Sequence, residues 1–101
     1  MKQTIIDLNE YANRYVEFKI GDKNIRCPEL TYAGMKKINE YENNNKATHE
    51  DEAEIILWLL NRNTAGIKFI QKDIDELPSG AVTRIYRECV MLSRRALNDP
   101  N

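Results

Sequence analysis

Little in this chain is suited to catalysis. It has one histidine and two cysteines among 101 residues. The histidine, His49, has Glu52 and Ala53 at the i+3 and i+4 places where a helical zinc site needs a second nitrogen or sulfur ligand, so it reads as a solvated first-turn residue. Cys27 and Cys89 lie in different segments without C-x-x-C spacing and read as free buried thiols of a reducing compartment. The four glycines are isolated, which excludes a Gly-rich phosphate loop. A Ser/His/Asp or Cys/His set cannot be assembled with any specificity around a single exposed histidine. The acids Glu50, Asp51, Glu52 and Glu54 lack the alternating ligands and central glycine of a calcium loop. The chain is therefore expected to be non-enzymatic, with no catalytic residues, cofactor, metal or small-molecule ligand.

An excess of one charge is also missing. Fifteen basic and sixteen acidic residues give a net charge of -1, which argues against a general affinity for nucleic acid or a membrane surface. The longest apolar run has six residues, far short of the roughly 20 that span a bilayer, and Met1 to Asp7 holds too short an apolar stretch for a signal peptide. With 42% hydrophobic and 31% charged residues, the composition is that of one globular domain with a wet surface, expected to cover residues 1–101 in the cytoplasm.

What is present is pattern. Ile5, Ile6 and Leu8 belong to a short lead-in that offers an anchor against the core but has no clean period. Tyr15 to Ile20 alternates, with Val16, Phe18 and Ile20 on one face. Gly21-Asp22 suits a tight turn, and Lys23 to Cys27 alternates again before Pro28. The hairpin, about residues 15–27, can close with a two-residue loop (Phe18 opposite Ile25) or a four-residue loop (Ile20 opposite Ile25). The two differ by an even step, so both keep the apolar side chains on one face. An isolated hairpin is marginal in water, so this face must lie on helices.

Helices are predicted over about 31–43, 49–62, 68–77 and 80–97. Thr31 caps the first, with Leu30 stapled onto Met35 and a thin stripe of Met35, Ile38 and Tyr41. Thr48 caps the second, whose first turn is acidic. Ile67, Ile70, Ile74 and Leu77 suggest short helical turns before Pro78, and Ser79 is the predicted cap of the last helix, with a stripe of Val82, Ile85, Tyr86, Cys89, Leu92 and Ala96. The fold class is α+β, predominantly α-helical: an N-terminal two-stranded hairpin packed on three to four helices.

Two features compete for function. Ile55-Ile56-Leu57-Trp58-Leu59-Leu60 is apolar all round, where a helix facing one core needs only a stripe. It is either a central core helix or a helix that shares a face with a partner, and the candidate partner-binding residues are Ile55, Trp58 and Leu59. The last helix carries Arg84, Arg87, Arg94 and Arg95 against Glu88, which fits either a solvated face or a recognition helix for DNA.

The order of parts also carries a resemblance. Ile6-Asp7-Leu8-Asn9-Glu10 leads into the hairpin, Pro28-Glu29-Leu30-Thr31-Tyr32 opens a helix, an acid-started apolar helix follows, and Asp73-Ile74-Asp75-Glu76-Leu77-Pro78 precedes a final amphipathic helix. This layout, over roughly residues 5 to 97, resembles the small tail assembly chaperones of long-tailed bacteriophages and of prophages of Gram-positive bacteria. The resemblance is one of order, length and texture and brings no site residues with it. It implies a mostly helical, non-virion protein of the bacterial host cytoplasm that coats the tape measure protein before the tail tube polymerises. It further implies self-association, often into rings or helical filaments, and a longer frameshifted form sharing this N-terminal part. The alternatives are a small phage DNA-binding or regulatory protein using the arginine-rich last helix, or a structural adaptor of the head–tail connector kind.

Overall fold

Gly21 sets the register of the sheet. Its φ is +62° while Asp22 keeps a negative φ, the backbone signature of a type II′ turn, whose twist matches that of the strands it joins. In the computed structural model, which describes residues 3–98 with side chains to Arg94, the turn joins β1 (Tyr15–Ile20) and β2 (Lys23–Pro28). The two strands are antiparallel, with Phe18 opposite Ile25 and Val16 opposite Cys27, so the two-residue loop is the one adopted. Exposure alternates along β1, and Ile25 and Cys27 are buried opposite it.

Four α-helices follow: α1 (Tyr32–Glu42), α2 (His49–Leu60), α3 (Gln71–Asp75) and α4 (Ser79–Asn98). The architecture is thus α+β and mainly helical, a hairpin packed on helices. The Thr31 hydroxyl accepts from the Gly34 N–H at 3.0 Å and starts α1. At α2, Thr48 and Asp51 form a reciprocal capping box: the Asp51 N–H donates to the Thr48 hydroxyl and the Thr48 N–H to the Asp51 carboxylate. Ser79 is not a cap. It lies inside α4, and the Pro78 carbonyl accepts the first helical bonds from the Ala81 and Val82 N–H groups.

The predicted helix over 68–77 is shorter than expected. Ile67 is half-buried, Ile70 is exposed, and α3 begins only at Gln71, where the Asp73 carboxylate takes the Ile70 N–H at 2.8 Å. Two asparagine side chains hold the preceding stretch out of a helix. Asn63 donates to the Leu60 and Ile67 carbonyls and accepts from the Ala65 and Ile67 N–H groups. Asn61 exchanges a pair of hydrogen bonds with the Phe69 backbone. Between them, the Thr64 N–H donates to the Arg26 carbonyl, and Arg62 donates to the carbonyls of Pro28 and Glu29 at 2.8 and 3.0 Å. The tripeptide after α2 therefore ties the helix end, the connection to α3 and the edge of β2 together.

The core runs through all these parts: Ile25 and Cys27 from β2, Ile38 from α1, the body of α2, Phe69 and Ile74, then Ile85, Cys89 and Val90 from α4. Val90, outside the predicted stripe, is buried beside Cys89, and Ser93 is buried because its hydroxyl accepts the Leu30 N–H at 3.0 Å. The lead-in, by contrast, is not anchored. Residues 8–13 form a short 3-10 helix without a buried residue, and Ile5, Ile6 and Leu8 are 87%, 73% and 71% exposed.

Replacing Asn63 with Ala leaves the Ala65 and Ile67 N–H groups and the Ile67 carbonyl short of a partner, while the Leu60 carbonyl keeps the backbone N–H of residue 63. We expect a loss of roughly 1–3 kcal/mol in urea unfolding, with faster hydrogen exchange confined first to residues 63–70.

Candidate interaction surface

The apolar run on α2 is mostly core. Ile56, Leu59 and Leu60 are fully buried and Ile55 is 6% exposed, whereas Leu57 and Trp58 are half-buried against the same cluster. Of the three candidate partner-binding residues, the fold therefore places Ile55 and Leu59 inside and leaves only Trp58 with surface to offer. The helix is wrapped because α3 and α4 pack on it, Trp58 lies against α1 at Gly34, and β2 shares the same core cluster.

Trp58 sits against α1 at Gly34. A Cβ at that glycine would stand 3.3 Å from the Trp58 Cη2 atom and 3.3 Å from Leu30 Cδ2, so the absence of a side chain lets the indole lie close to the helix backbone. The ring is flanked by two cations, with the Lys37 ammonium 4.9 Å and the Arg62 guanidinium 5.6 Å from its centre. Arg62 is half-buried, and that burial lowers its pKa. Its Nη1 atom and Glu29 Oε1 are buried without a hydrogen-bond partner.

Cys27 and Cys89, distant in sequence, meet in the core, where the charge of Arg62 acts on both. The Cys89 thiol hydrogen-bonds Cys27; this bond, aided by the Arg62 charge, lowers the Cys27 pKa against the opposing effect of burial. The same bond and burial raise the Cys89 pKa strongly, so it stays a thiol. Both are free and buried, at 1% and 3% exposure. Spacing along the chain held no hint of this pairing, which the hairpin register and the face of α4 create together.

Two of the four arginines of α4 are engaged. Arg84 pairs with Glu88 at 3.1 Å, and Arg94 reaches Glu42 at the end of α1 at 2.6 Å. Arg87 is exposed, and the Arg95 side chain lies outside the described residues. Glu42 also accepts the Tyr86 hydroxyl at 2.6 Å, and the Tyr86 ring lies 5.9 Å from that of Tyr41. Burial works against ionisation of Glu42, but the bonds from Tyr86 and Arg94 and the Arg94 charge outweigh it and hold the carboxyl below its usual range. Burial and the bond to Glu42 push the Tyr86 phenol up, so it remains a donor. Engaged in this way, Arg84 and Arg94 have less to offer a phosphate backbone.

His49 is exposed, and the acids around it lie at the start of α2. Among the described residues no three His, Cys, Asp or Glu side chains converge in a way that could hold a metal ion, and no helix is long and apolar enough to cross a membrane. No family model, curated protein or solved structure matches the chain.

Leu59→Ala is expected to cost about 2–5 kcal/mol in chemical denaturation, because it opens a cavity in a fully closed part of the core. The depressed Glu42 carboxyl contributes stability that is complete above its ordinary value of 4.5 and is lost as pH falls through the lowered one. Glu42→Gln should therefore destabilise at pH 7 by less than about 1 kcal/mol, given its solvent exposure. The gap from wild type should close as the pH is taken below 4.5, as read from urea midpoints across the range.

Proposed function

We propose that this protein is a tail assembly chaperone of a long-tailed bacteriophage or prophage, non-catalytic, acting by reversible cover of apolar segments of a tape measure protein in the host cytoplasm. The observation that carries the reading is the amount of apolar side chain left uncovered by a fold that otherwise closes well. Ile5, Ile6, Leu8, Tyr32, Ile70 and Met91 are each more than 40% exposed, and Trp58 stands half-covered beside two cations. The sequence of parts, from lead-in through hairpin and acid-started apolar helix to final amphipathic helix, is also the layout on which the resemblance rests. Long, largely helical, apolar clients suit such a surface, since an amphipathic helix binds by laying its apolar face against apolar side chains.

Co-expression with the tape measure protein encoded in the same genome is the direct test. We expect a soluble complex that co-purifies, where the tape measure protein alone aggregates. Trp58→Ala should weaken capture while keeping the helical circular dichroism of the wild type. A tape measure protein that stays insoluble and unbound beside well-expressed wild-type protein would count decisively against the proposal. Purified virions should lack the chain by mass spectrometry; its presence there would favour the structural adaptor instead.

A further inference from the structure

The two edges of the hairpin are not alike. In an antiparallel ladder, alternate residues turn their N–H and C=O groups towards the neighbouring strand. The N-terminal arm enters β1 at Arg14, whose carbonyl accepts the Glu29 N–H at 3.0 Å, and Ile20 and Lys23 close the two-residue turn at the other end. Arg14, Val16, Phe18 and Ile20 therefore bond to β2, and Tyr15, Glu17 and Lys19 point their backbone groups away from it. The outward edge of β2 is partly taken, since the Arg26 carbonyl accepts the Thr64 N–H and the Pro28 carbonyl accepts from Arg62. The outward N–H and C=O groups of Tyr15, Glu17 and Lys19 have no protein partner among the described residues. Of the devices that blunt an edge strand, β1 lacks a proline, a bulge and an inward-pointing charge.

The inner face of β1 is also unfinished. Ile25 and Cys27 are each 1% exposed, while Phe18 and Val16, opposite them in the ladder, are only half-buried, as is Ile20. Beside Phe18 and Ile20, a groove of about 300 Å³ lies between β1 and the start of α4, where Leu77, Pro78, Ala81 and Ile85 complete its apolar lining. A strand added at ~4.8 Å from β1 would set every second side chain beside Val16, Phe18 and Ile20, on this same inner face.

We propose that the open edge of β1 receives an extended segment of a partner protein by strand addition. The backbone groups of Tyr15, Glu17 and Lys19 call for an extended chain, because a helix has already satisfied its own. The groove calls for apolar side chains at alternate positions of that segment. On the outer face Glu17 is paired with Arg26 at 3.4 Å, which leaves Lys19 without an ion pair among the described residues. An acidic residue of the segment beside Lys19 completes the match. The site does not rest on the chaperone reading, whose clients are helical and whose test turns on Trp58.

The test begins with selection of binders to the full chain from a ribosome-displayed library of random peptides, followed by fluorescence anisotropy on a selected peptide. Enriched peptides should alternate apolar and polar residues, with an acid in one polar place. N-methylation along the bound peptide should abolish binding at every second residue only. Glu17→Pro removes an outward N–H and keeps the bonds of β1 to β2, and Glu17→Ala controls for the lost pair with Arg26. Glu17→Pro should bind about tenfold more weakly than Glu17→Ala. Ala81→Glu charges the groove within the first turn of α4, which tolerates an acid, and should weaken binding by a similar factor. Both variants should keep the helical circular dichroism of the wild type. If Glu17→Pro does not, the N-methyl series and Ala81→Glu decide the question. Failure to enrich any peptide, enriched peptides with a helical period, N-methyl effects without alternation, or Glu17→Pro binding as tightly as Glu17→Ala would each overturn the proposal. So would a wild type that dimerises in sedimentation velocity without peptide and protects the Tyr15, Glu17 and Lys19 N–H groups from hydrogen exchange, since a second copy would then fill the edge.

Discussion

The tripeptide Asn61-Arg62-Asn63 is the constraint on which the rest of the structure depends. A helix that ends in a small fold leaves carbonyls without partners, and the chain beyond it needs a direction. Here one polar side chain after another does both tasks. Asn63 closes a loop on itself, Asn61 fixes Phe69 so that its ring enters the core, and Arg62 reaches across to the end of β2. Without these bonds the hairpin would have only the bond from the Thr64 N–H to the Arg26 carbonyl and its apolar face to locate it on the helices, and an apolar face tolerates sliding.

Arg62 joins that framework to the candidate surface. The same guanidinium that holds Pro28 and Glu29 lies near the Trp58 ring, and its charge acts on the thiol pair. Gly34 contributes from the other side: its cost to helix α1 as a flexible residue is offset by the close seat it makes for the indole. Trp58 is thereby positioned by backbone geometry on one side and cations on the other. That is a rigid mounting for the one residue of the apolar run's candidate set that retains surface.

Much of this fold was legible from the residues. Period-two alternation located both strands, Thr31 and Thr48 marked the helix starts, and Gly21-Asp22 marked the turn. The register was not legible, because an even shift preserves the apolar face and only the backbone angles of Gly21 decide it. The span before Gln71 misled because Ile67 and Ile70 have helical spacing while the asparagines that override it lie earlier in the chain. The candidate surface was half legible. Excess apolar character on α2 was plain, but which faces the fold would cover depended on contacts from four other elements, and Ile55 and Leu59 were used up as core. The lead-in is the reverse case: Ile5, Ile6 and Leu8 are apolar but have no period to direct them, and they stay outside the core.

The two buried sulfurs have one more consequence. They join a strand near the start of the chain to a helix near its end, and neither presents surface. A thiol reagent can therefore reach them only when β2 and α4 part, so the rate at which the pair is labelled is a clock for the opening of the whole body. Labelling of this pair is blind to the arm, whose movements leave both sulfurs covered.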